Sequence, residues 1–493
     1  MSDPNAAHQW STLDKDLNRL SRVEAATMYA ARPLVGVGIS LLFVAVAAVV
    51  ALLLTGSASG GFLIVVAAAL GAYMALNIGA NDVANNMGPA VGANALSMAG
   101  AIAIAAIFES AGALLAGGDV VSTISKGIID PASLESGHSF VWAMMAALLS
   151  AAVWVNVATW VGAPVSTTHA VVGGVMGAGI AAAGMGAVDW GTMGSIALSW
   201  VVSPLLGGII AAAMLAFIKW KVIYVEDKIA AARIWVPVLI GVMAAAFGTY
   251  LVMKGLKHLM SVDIGIALLI GAAIGLGCYF ASVPLIRRQS QGLENRNRSL
   301  KTLFQLPLVV SAALLSFAHG ANDVANAVGP LAAIVHARDS MGVATEVAIP
   351  MWVMLIGALG ISFGLILFGP KLIRMVGNQI TKLNPMRAYC VALSAAVTVI
   401  AASWLGLPVS STHIAVGGVF GVGFFREWYM ERRTRQIAEA RPRPPQIAAQ
   451  ERQRRKLVRR SHFLTIVAAW VVTVPAAASI SALAFYCLSA LLD

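Results

Sequence analysis

Long apolar stretches alternate with short polar loops along most of the chain. Residues 34–56 and 463–492 contain no charged side chain, and each stretch exceeds the roughly 20 residues that a helix needs to cross a bilayer. The pattern predicts an all-α polytopic membrane protein with about 12–13 membrane segments, some of them re-entrant. The predicted segments are 34–54, 62–78, 98–117, 139–160, 165–184, 193–217, 234–253, 263–286, 304–319, 347–369, 388–405, 410–425 and 463–490.

Basic residues are concentrated between these segments and predict the orientation of the chain. Residues 426–460 hold twelve Lys or Arg against four Glu, and smaller basic loops lie at 219–233 and 287–301. Because Lys and Arg resist translocation, we expect these three loops and the N-terminus in the cytoplasm. Six, two and four segments separate them, so the assignment is self-consistent and places the C-terminus outside. Loop 426–460 could instead bind RNA or anionic lipid.

Composition supports a membrane protein and argues against other classes. The chain of 493 residues is 59% hydrophobic and 11% charged, whereas a soluble domain carries about 25% charged residues. The net charge of +11 is accounted for by the loops and does not indicate nucleic-acid binding. Cys278, Cys390 and Cys487 lie in separate apolar segments without a CxxC pair, so no disulfide or metal role is expected. Residues 1–33 do not resemble a cleavable signal.

Two polar motifs occur twice in the same order. NIGANDVANN at 77–86 returns as AHGANDVANA at 318–327, and APVSTTHAVVGGVMGAG at 163–179 returns as LPVSSTHIAVGGVFGVG at 407–423. A third repeat, WVVSP from Trp200 and WVVTVP from Trp470, ends each half. Glycines shared for helix packing would explain the GG and GxxxG spacing. They would not explain a repeated Asn-Asp or Ser-Thr-His.

The predicted orientation makes these repeats antiparallel. The segment before Asp82 runs from outside to inside, and the segment before Asp323 runs from inside to outside, as in the inverted repeats of many secondary transporters. We therefore expect two inverted-topology repeats with broken or re-entrant helices at the midplane. The predicted division is a cytoplasmic segment 1–33, an extra helix 34–56, a first repeat 62–218, a linking region 219–303 with two helices, and a second repeat 304–493.

The hydroxyl motifs predict an anion site. Pro164 and Pro408 each precede three hydroxyl residues and an apolar run, which indicates a helix that begins inside the membrane. Helix starts offer free N–H groups and the positive end of the dipole, and such a pocket suits phosphate or sulfate. Alternatively, the hydroxyls only bond back to their own helix.

The acidic motifs predict a cation site. A lone carboxylate in a bilayer is costly, yet neither motif pair contains Lys or Arg, and Lys126, Lys371 and Arg374 lie toward loops. An anion beside Asp82 and Asp323 would be repelled unless cations join it. Carboxylate and asparagine oxygens suit Na⁺ or protons, so the combination favours cation-coupled symport. Capping of a broken helix is the alternative role for each Asp.

Three further polar residues are candidates for supporting roles. His169 and His413 end the hydroxyl motifs, and either structural support or contact with a proton or substrate fits them. Glu109 is a charge within an apolar segment and has no counterpart in the second half.

Together, GANDVANN and GANDVANA with PVSTTH and PVSSTH resemble the inorganic phosphate transporter family over roughly residues 62–490. The resemblance implies two inverted helical repeats and a homodimer in the inner (plasma) membrane. It also implies one anion at the facing helix starts and Na⁺ or H⁺ at the acidic motifs. Asn86 departs from the family pattern, which has alanine after VAN, and Ser411 stands where the first half has Thr167. The implied anion ligands are Ser166, Thr167, Thr168, Ser410, Ser411 and Thr412. The implied cation ligands are Asn81, Asp82, Asn85, Asn322, Asp323 and Asn326.

The expected function is cation-coupled symport of inorganic phosphate by alternating access, with no cofactor. A sulfate symporter of the same fold is the first alternative. An anion channel is less favoured because no carbonyl filter of the TVGYG type is present. A membrane-embedded hydrolase is less favoured because the hydroxyls recur without a Gly-x-Ser-x-Gly elbow.

Overall fold

The computed structural model describes residues 34–55, 61–130, 133–134, 137–161, 165–255, 263–339, 349–376, 383–439 and 460–492. Within these residues the chain is almost wholly helical, and its β-pairing is confined to an isolated bridge between Ile129 and Val188. The predicted all-α class is confirmed. The N-terminal segment 1–33, Pro164 and the centre of the basic loop, 440–459, lie outside the described residues.

The first part of the chain supplies one peripheral helix and the elements that carry the first pair of motifs. In chain order they are α1 (Leu34–Thr55), α2 (Gly61–Asn81), α3 (Val83–Gly92), α4 (Met98–Ala116), α5 (Gly118–Lys126), α6 (Gly137–Val161), α7 (Thr167–Ala183) and α8 (Trp190–Ile218).

A pair of linking helices and the elements of the second motif pair follow. They are α9 (Lys228–Gly255), α10 (Ile264–Gln289), α11 (Asn297–Leu303), α12 (Gln305–Asp323), α13 (Ala325–Asp339), α14 (Met351–Met375), α15 (Pro385–Trp404), α16 (Ser411–Glu439) and α17 (Arg460–Leu492).

The helix lengths fit a multi-pass membrane protein. Eleven helical spans in the described part of the chain are long and apolar enough to cross a bilayer, and α7, with 17 residues, is a shorter apolar helix. Helix α16 begins at the equivalent repeat of the same motif. Since both helices start at a hydroxyl motif, the structure places each motif at a helix N-terminus, as the sequence indicates.

Both GANDVAN motifs lie inside interrupted helices. Helix α2 ends at Asn81 and α3 begins at Val83, while α12 ends at Asp323 and α13 begins at Ala325. The predicted segments end near residues 78 and 319, so they end too early. The continuation is polar and contains a proline in each copy, which lowers its hydropathy. A broken helix is tolerated at membrane depth where protein surrounds it.

The two halves pack on each other reciprocally. Helix α2 packs on α14, and the equivalent α12 packs on α4. A Cβ at Gly79 would collide with the backbone carbonyl of Ile361, and a Cβ at Gly320 would collide with the carbonyl of Glu109. Each acidic motif therefore lies in close backbone contact with a helix of the opposite half, an approach that only glycine permits.

The hydroxyl-led helices show the same exchange. Helix α7 packs on α17, and α16 packs on α8. Gly177 lies against the carbonyl of Ala478, and Gly421 lies against the carbonyl of Gly208. These contacts involve the GG and GxxxG positions of the repeat.

Candidate functional site

The two acidic motifs and the two hydroxyl motifs meet in one buried cluster. Asp82 and Asp323 are each 1% exposed, and Thr167 and Thr412 are 1% and 3% exposed. The interruptions in the GANDVAN helices bring the carboxylates to the starts of α7 and α16. Residues more than 300 positions apart along the chain are thus hydrogen-bonded neighbours.

The first residue of each hydroxyl trio caps its helix. Ser166 Oγ accepts a hydrogen bond from the His169 amide at 3.2 Å, and Ser410 Oγ accepts one from the His413 amide at 3.3 Å. This is the usual N-cap arrangement, which satisfies an amide that the helix leaves free. Both serines are predicted anion ligands, and in this arrangement their oxygens serve the helix start.

Asp82 receives hydroxyl groups from both halves. Thr167 donates to Asp82 Oδ2 at 2.6 Å, and Thr412 donates to Asp82 Oδ1 at 3.4 Å. Asn85 donates through Nδ2 to Thr412 Oγ1 at 2.8 Å. One carboxylate therefore links the first acidic motif to the starts of α7 and α16.

The second acidic motif reaches the first hydroxyl motif through Asn326. Its Nδ2 donates to Thr167 Oγ1 at 3.2 Å and to Thr168 Oγ1 at 3.1 Å. Thr168 in turn donates to the backbone carbonyl of Val409 at 3.1 Å. The start of α7 is thereby tied to the loop that precedes α16.

The first asparagine of each GAND motif holds a neighbouring element. Asn81 donates to Thr159 Oγ1 at 2.7 Å. Asn322 accepts from the Val409 amide at 3.2 Å and donates to Ser403 Oγ and to the Leu407 carbonyl. These predicted cation ligands thus position α6 and the 405–409 loop around the cluster.

Several buried acceptor atoms around Asp323 lack a hydrogen-bond partner. They include Asp323 Oδ1 and Asn326 Oδ1, and the Ser411 hydroxyl is also unpartnered. Ligand atoms of Asp82, His319 and Asp323 lie within 4.8 Å of one another. Because unpaired buried oxygens are costly, this donor set fits a cation held between the two carboxylates.

Glu109 has partners that the sequence does not reveal. Its Oε1 accepts from Asn86 Nδ2 at 3.0 Å, and its Oε2 lies 2.5 Å from His319 Nδ1. His319 Nε2 lies 2.9 Å from Asp323 Oδ2. The sequence reasoning missed His319, whose signal was available: it stands where the first copy of the motif has Ile78.

His169 and His413 form a separate aromatic group. Their ring centroids are 4.5 Å apart, and His169 lies 3.8 Å from the ring of Trp200. All three line an apolar groove together with Phe420 and Trp428. Their rings therefore belong to the packing behind the two helix starts, which favours the supporting role among the two alternatives.

A polar cavity approaches the cluster from one side. It has a volume of about 660 Å³ and is lined by Ser122, Thr123, Lys126, Thr192 and the 405–407 loop, among others. The carbonyl of residue 407 at its edge accepts from the Asn322 side chain. The cavity thus reaches to within one hydrogen bond of the second acidic motif.

Known proteins are similar to this chain over most of its length. The model of the Phosphate transporter family matches residues 78–481. A protein of Helicobacter pylori strain J99 named "Putative phosphate permease" is 49% identical over 86% of this chain and 80% of its own. A Pyrococcus abyssi protein, "Putative phosphate permease PYRAB14010", is 38% identical over 84% of this chain and 95% of its own.

A solved structure has the same fold. It is titled "The sodium-dependent phosphate transporter", is 35% identical, and superimposes with a TM-score of 0.78 over 87% of this chain and 100% of that chain. The family match spans both copies of the acidic motif and both copies of the hydroxyl motif. The resemblance that the repeated motifs indicate is confirmed, and the chain belongs to the phosphate transporter family.

Proposed function

We propose that the protein takes up inorganic phosphate by cation-coupled symport across the plasma membrane. The observation that carries the proposal is the convergence of two carboxylates and two hydroxyl-led helix starts, one of each from either half, in a single buried cluster. The cluster therefore suits ligands of both charges, since helix starts attract an anion and buried carboxylates attract a cation.

The anion is bound by hydroxyls and backbone amides in this proposal. Thr167, Thr168, Ser411 and Thr412 lie at the two helix starts and are all buried. The buried lysine of the described chain, Lys219, lies over the ring of Tyr429, away from these motifs. Phosphate repulsion from Asp82 and Asp323 is then offset by bound cations, which makes coupling a requirement of the site.

Sodium is the proposed coupling cation. The solved relative is titled sodium-dependent, and the unpartnered oxygens of Asp323 and Asn326 are hard ligands. Asp82 supplies the second carboxylate, and its oxygens exchange hydroxyl partners for the cation. Sodium here is a transported substrate, so no cofactor enters the mechanism.

The reciprocal packing of the halves supports transport by alternating access. We propose that 62–218 and 304–493 are inverted repeats that rock against each other about the shared cluster. The basic loops and the N-terminus lie in the cytoplasm, the C-terminus lies outside, and the protein works as a homodimer among membrane lipids. The polar cavity beside the 405–407 loop is one access route to the site.

Uptake by purified protein in proteoliposomes tests the function. Labelled phosphate and labelled sulfate are offered separately, with an inward sodium gradient, with a proton gradient, or with neither. We expect concentrative phosphate uptake that needs the sodium gradient and saturates with concentration. Preferential sulfate uptake would identify a sulfate symporter, and single-channel currents would replace the carrier by a channel.

A further inference from the structure

At three buried positions in or beside the acidic motifs, one half carries a polar side chain that contacts the others of this set, and the other half carries an apolar one. Gly320 lies against the backbone of residue 109 and Gly79 lies against the backbone of residue 361, so these two helix positions are structurally equivalent. The motif alignment defines the other two. The equivalent pairs, naming the polar member first, are Glu109 and Ile361, Asn86 and Ala327, and His319 and Ile78.

The polar members form one continuous series of side-chain contacts that ends at Asp323. Asn86 Nδ2 donates to Glu109 Oε1 at 3.0 Å, Glu109 Oε2 lies 2.5 Å from His319 Nδ1, and His319 Nε2 lies 2.9 Å from Asp323 Oδ2. Asn86, Glu109 and His319 are each 0% exposed. Asn86, Glu109 and His319 have apolar residues at the equivalent positions of the other half.

Packing does not require these polar side chains. Isoleucine fills the equivalent positions 78 and 361, and both are fully buried. A buried carboxylate at membrane depth is costly and marks function. We therefore expect this series of contacts to act on the group at its end, the carboxylate of Asp323.

The two carboxylates are consequently presented in different ways. Both oxygens of Asp82 accept threonine hydroxyls. Asp323 has Oδ2 against an imidazole, and its Oδ1 has no hydrogen-bond partner. A carboxylate that holds one ring nitrogen of a histidine fixes the direction of the other nitrogen, so Glu109 determines which way His319 faces.

We propose that Glu109 is a positioning residue for the cation site at Asp323. Acting through His319, it holds Oδ2 of Asp323 against the imidazole and leaves Oδ1 directed to the cation. Asp82 has no such device, so the two carboxylates contribute to the cation site in different ways. This inference rests on the proposed function, because it concerns the sodium ion that the carboxylates bind.

Substitution by glutamine separates orientation from charge. In Glu109→Gln, the amide oxygen can accept from Asn86 and the amide nitrogen can donate to His319 Nδ1, so the ring keeps its place beside Asp323. Glu109→Ile copies the residue at position 361 and removes both contacts. Ile361→Leu, a volume-conserving change at the equivalent position, is the matched control.

Sodium binding to the purified full-length protein, measured with radioactive sodium at equilibrium, tests the proposal. We expect Glu109→Ile to weaken sodium binding by about tenfold to 100-fold, the usual effect of losing a residue that orients a ligand. Glu109→Gln should lose clearly less sodium affinity than Glu109→Ile, because both hydrogen-bond contacts of residue 109 are kept. The apparent KM for phosphate at saturating sodium should stay nearly constant in both variants.

Two results would overturn the proposal. Unchanged sodium affinity in Glu109→Ile would show that the residue does not act on the site. A loss in Glu109→Gln as large as in Glu109→Ile would show that charge, and not orientation, matters. If Glu109→Ile does not fold, the triple variant Asn86→Ala, Glu109→Ile, His319→Ile, which carries at each position the apolar residue of its equivalent, is measured instead, with the same expected loss.

The outcome is distinguishable from a failure of the proposed function. If the unmodified protein binds no sodium, cation coupling by sodium is wrong. If the unmodified protein binds sodium and all variants bind it equally, only the role of Glu109 is wrong.

Discussion

At the scale of single residues, the carboxylate of Asp82 joins the two halves of the site. Thr167 and Thr412 donate to its two oxygens. In Asp82→Asn, an NH₂ group replaces one acceptor and the negative charge that balances a cation is lost. A hydrogen bond to a charged group contributes about 1.5–3 kcal/mol, so we expect sodium-driven phosphate accumulation to fall by at least about tenfold. Uptake in proteoliposomes, normalised to folded protein, measures it.

The companion variant and a control complete this experiment. Asp323→Asn should have the same effect, because in the proposed function each carboxylate balances part of the charge of the bound cation. Asp263→Asn is the control: Asp263 caps α10 outside the membrane spans, and asparagine is also a good cap. Full accumulation in either of the first two variants would contradict the assignment of the acidic motifs.

Thr412 offers a second test at this scale, directed at the anion. Thr412→Ala removes a donor to Asp82 and the acceptor for Asn85. We expect phosphate affinity to weaken by about tenfold or more, since about 1.4 kcal/mol corresponds to a factor of ten. Binding titrations on purified protein measure the change. Lys371→Ala and Arg374→Ala alter exposed residues at the end of α14 and should have smaller effects. The reverse order of effects would place the anion elsewhere.

The motif residues could be predicted from the sequence because they are repeated, but their partners could not. A duplicated Asn-Asp or Ser-Thr-His is visible in the amino-acid sequence. The pairing of Glu109 with His319 joins residues 210 positions apart, and contacts at that separation leave no local signal. The sequence also did not show which hydroxyl groups cap a helix and which are free to bind a ligand. Whether Ser166 caps a helix or faces a ligand depends on side-chain direction, which the motif does not encode.

At the scale of helices, close glycine contacts set how near the elements of the two halves lie. A Cβ at Gly421 would meet the backbone carbonyl of Gly208, and backbone cannot move aside as a flexible side chain can. We expect Gly421→Ala to destabilise the protein by about 1–3 kcal/mol, the typical effect of overpacking. Thermal unfolding in detergent would report a lower midpoint.

A glycine in open space provides the matched control. Gly277 in α10 has no atom within 4 Å of the position of an added Cβ. Gly277→Ala should leave the midpoint unchanged or raise it, because alanine favours a helix interior by roughly 0.5–1 kcal/mol. Equal losses in both variants would mean that the close helix contacts do not limit stability.

The bounds of a helix could be predicted where a long apolar run alone determines them. The segments at 139–160, 234–253 and 388–405 coincide closely with α6, α9 and α15. Prediction failed at α3 and α13, which continue past each interruption. Their asparagines and prolines resemble loop sequence, and only burial within the protein makes them helical. The short α5 and α11 were missed for a related reason, since each is polar and lacks a long apolar run.

At the scale of the whole molecule, orientation in the membrane is the property to test. The basic loops predict that 287–301 faces the cytoplasm, and the same parity places α5 at the outside. In a background without Cys278, Cys390 and Cys487, Ser122→Cys and Gln291→Cys introduce one exposed thiol each. We expect a membrane-impermeant maleimide to label the first in intact cells and the second only after permeabilisation. Labelling of both from one side would refute the inverted arrangement.

In the proposed function, the carboxylate of Asp82 has a thermodynamic consequence for the binding of sodium and phosphate. In the structure, the hydroxyls of Thr167 and Thr412 both donate to that carboxylate. A sodium ion that takes over its oxygens releases the same hydroxyls to an anion. The two ligands then assist each other through one group, and linkage requires the assistance to be mutual. Whatever factor sodium adds to phosphate affinity, phosphate must add the same factor to sodium affinity, so each bound ligand favours retention of the other until both are released.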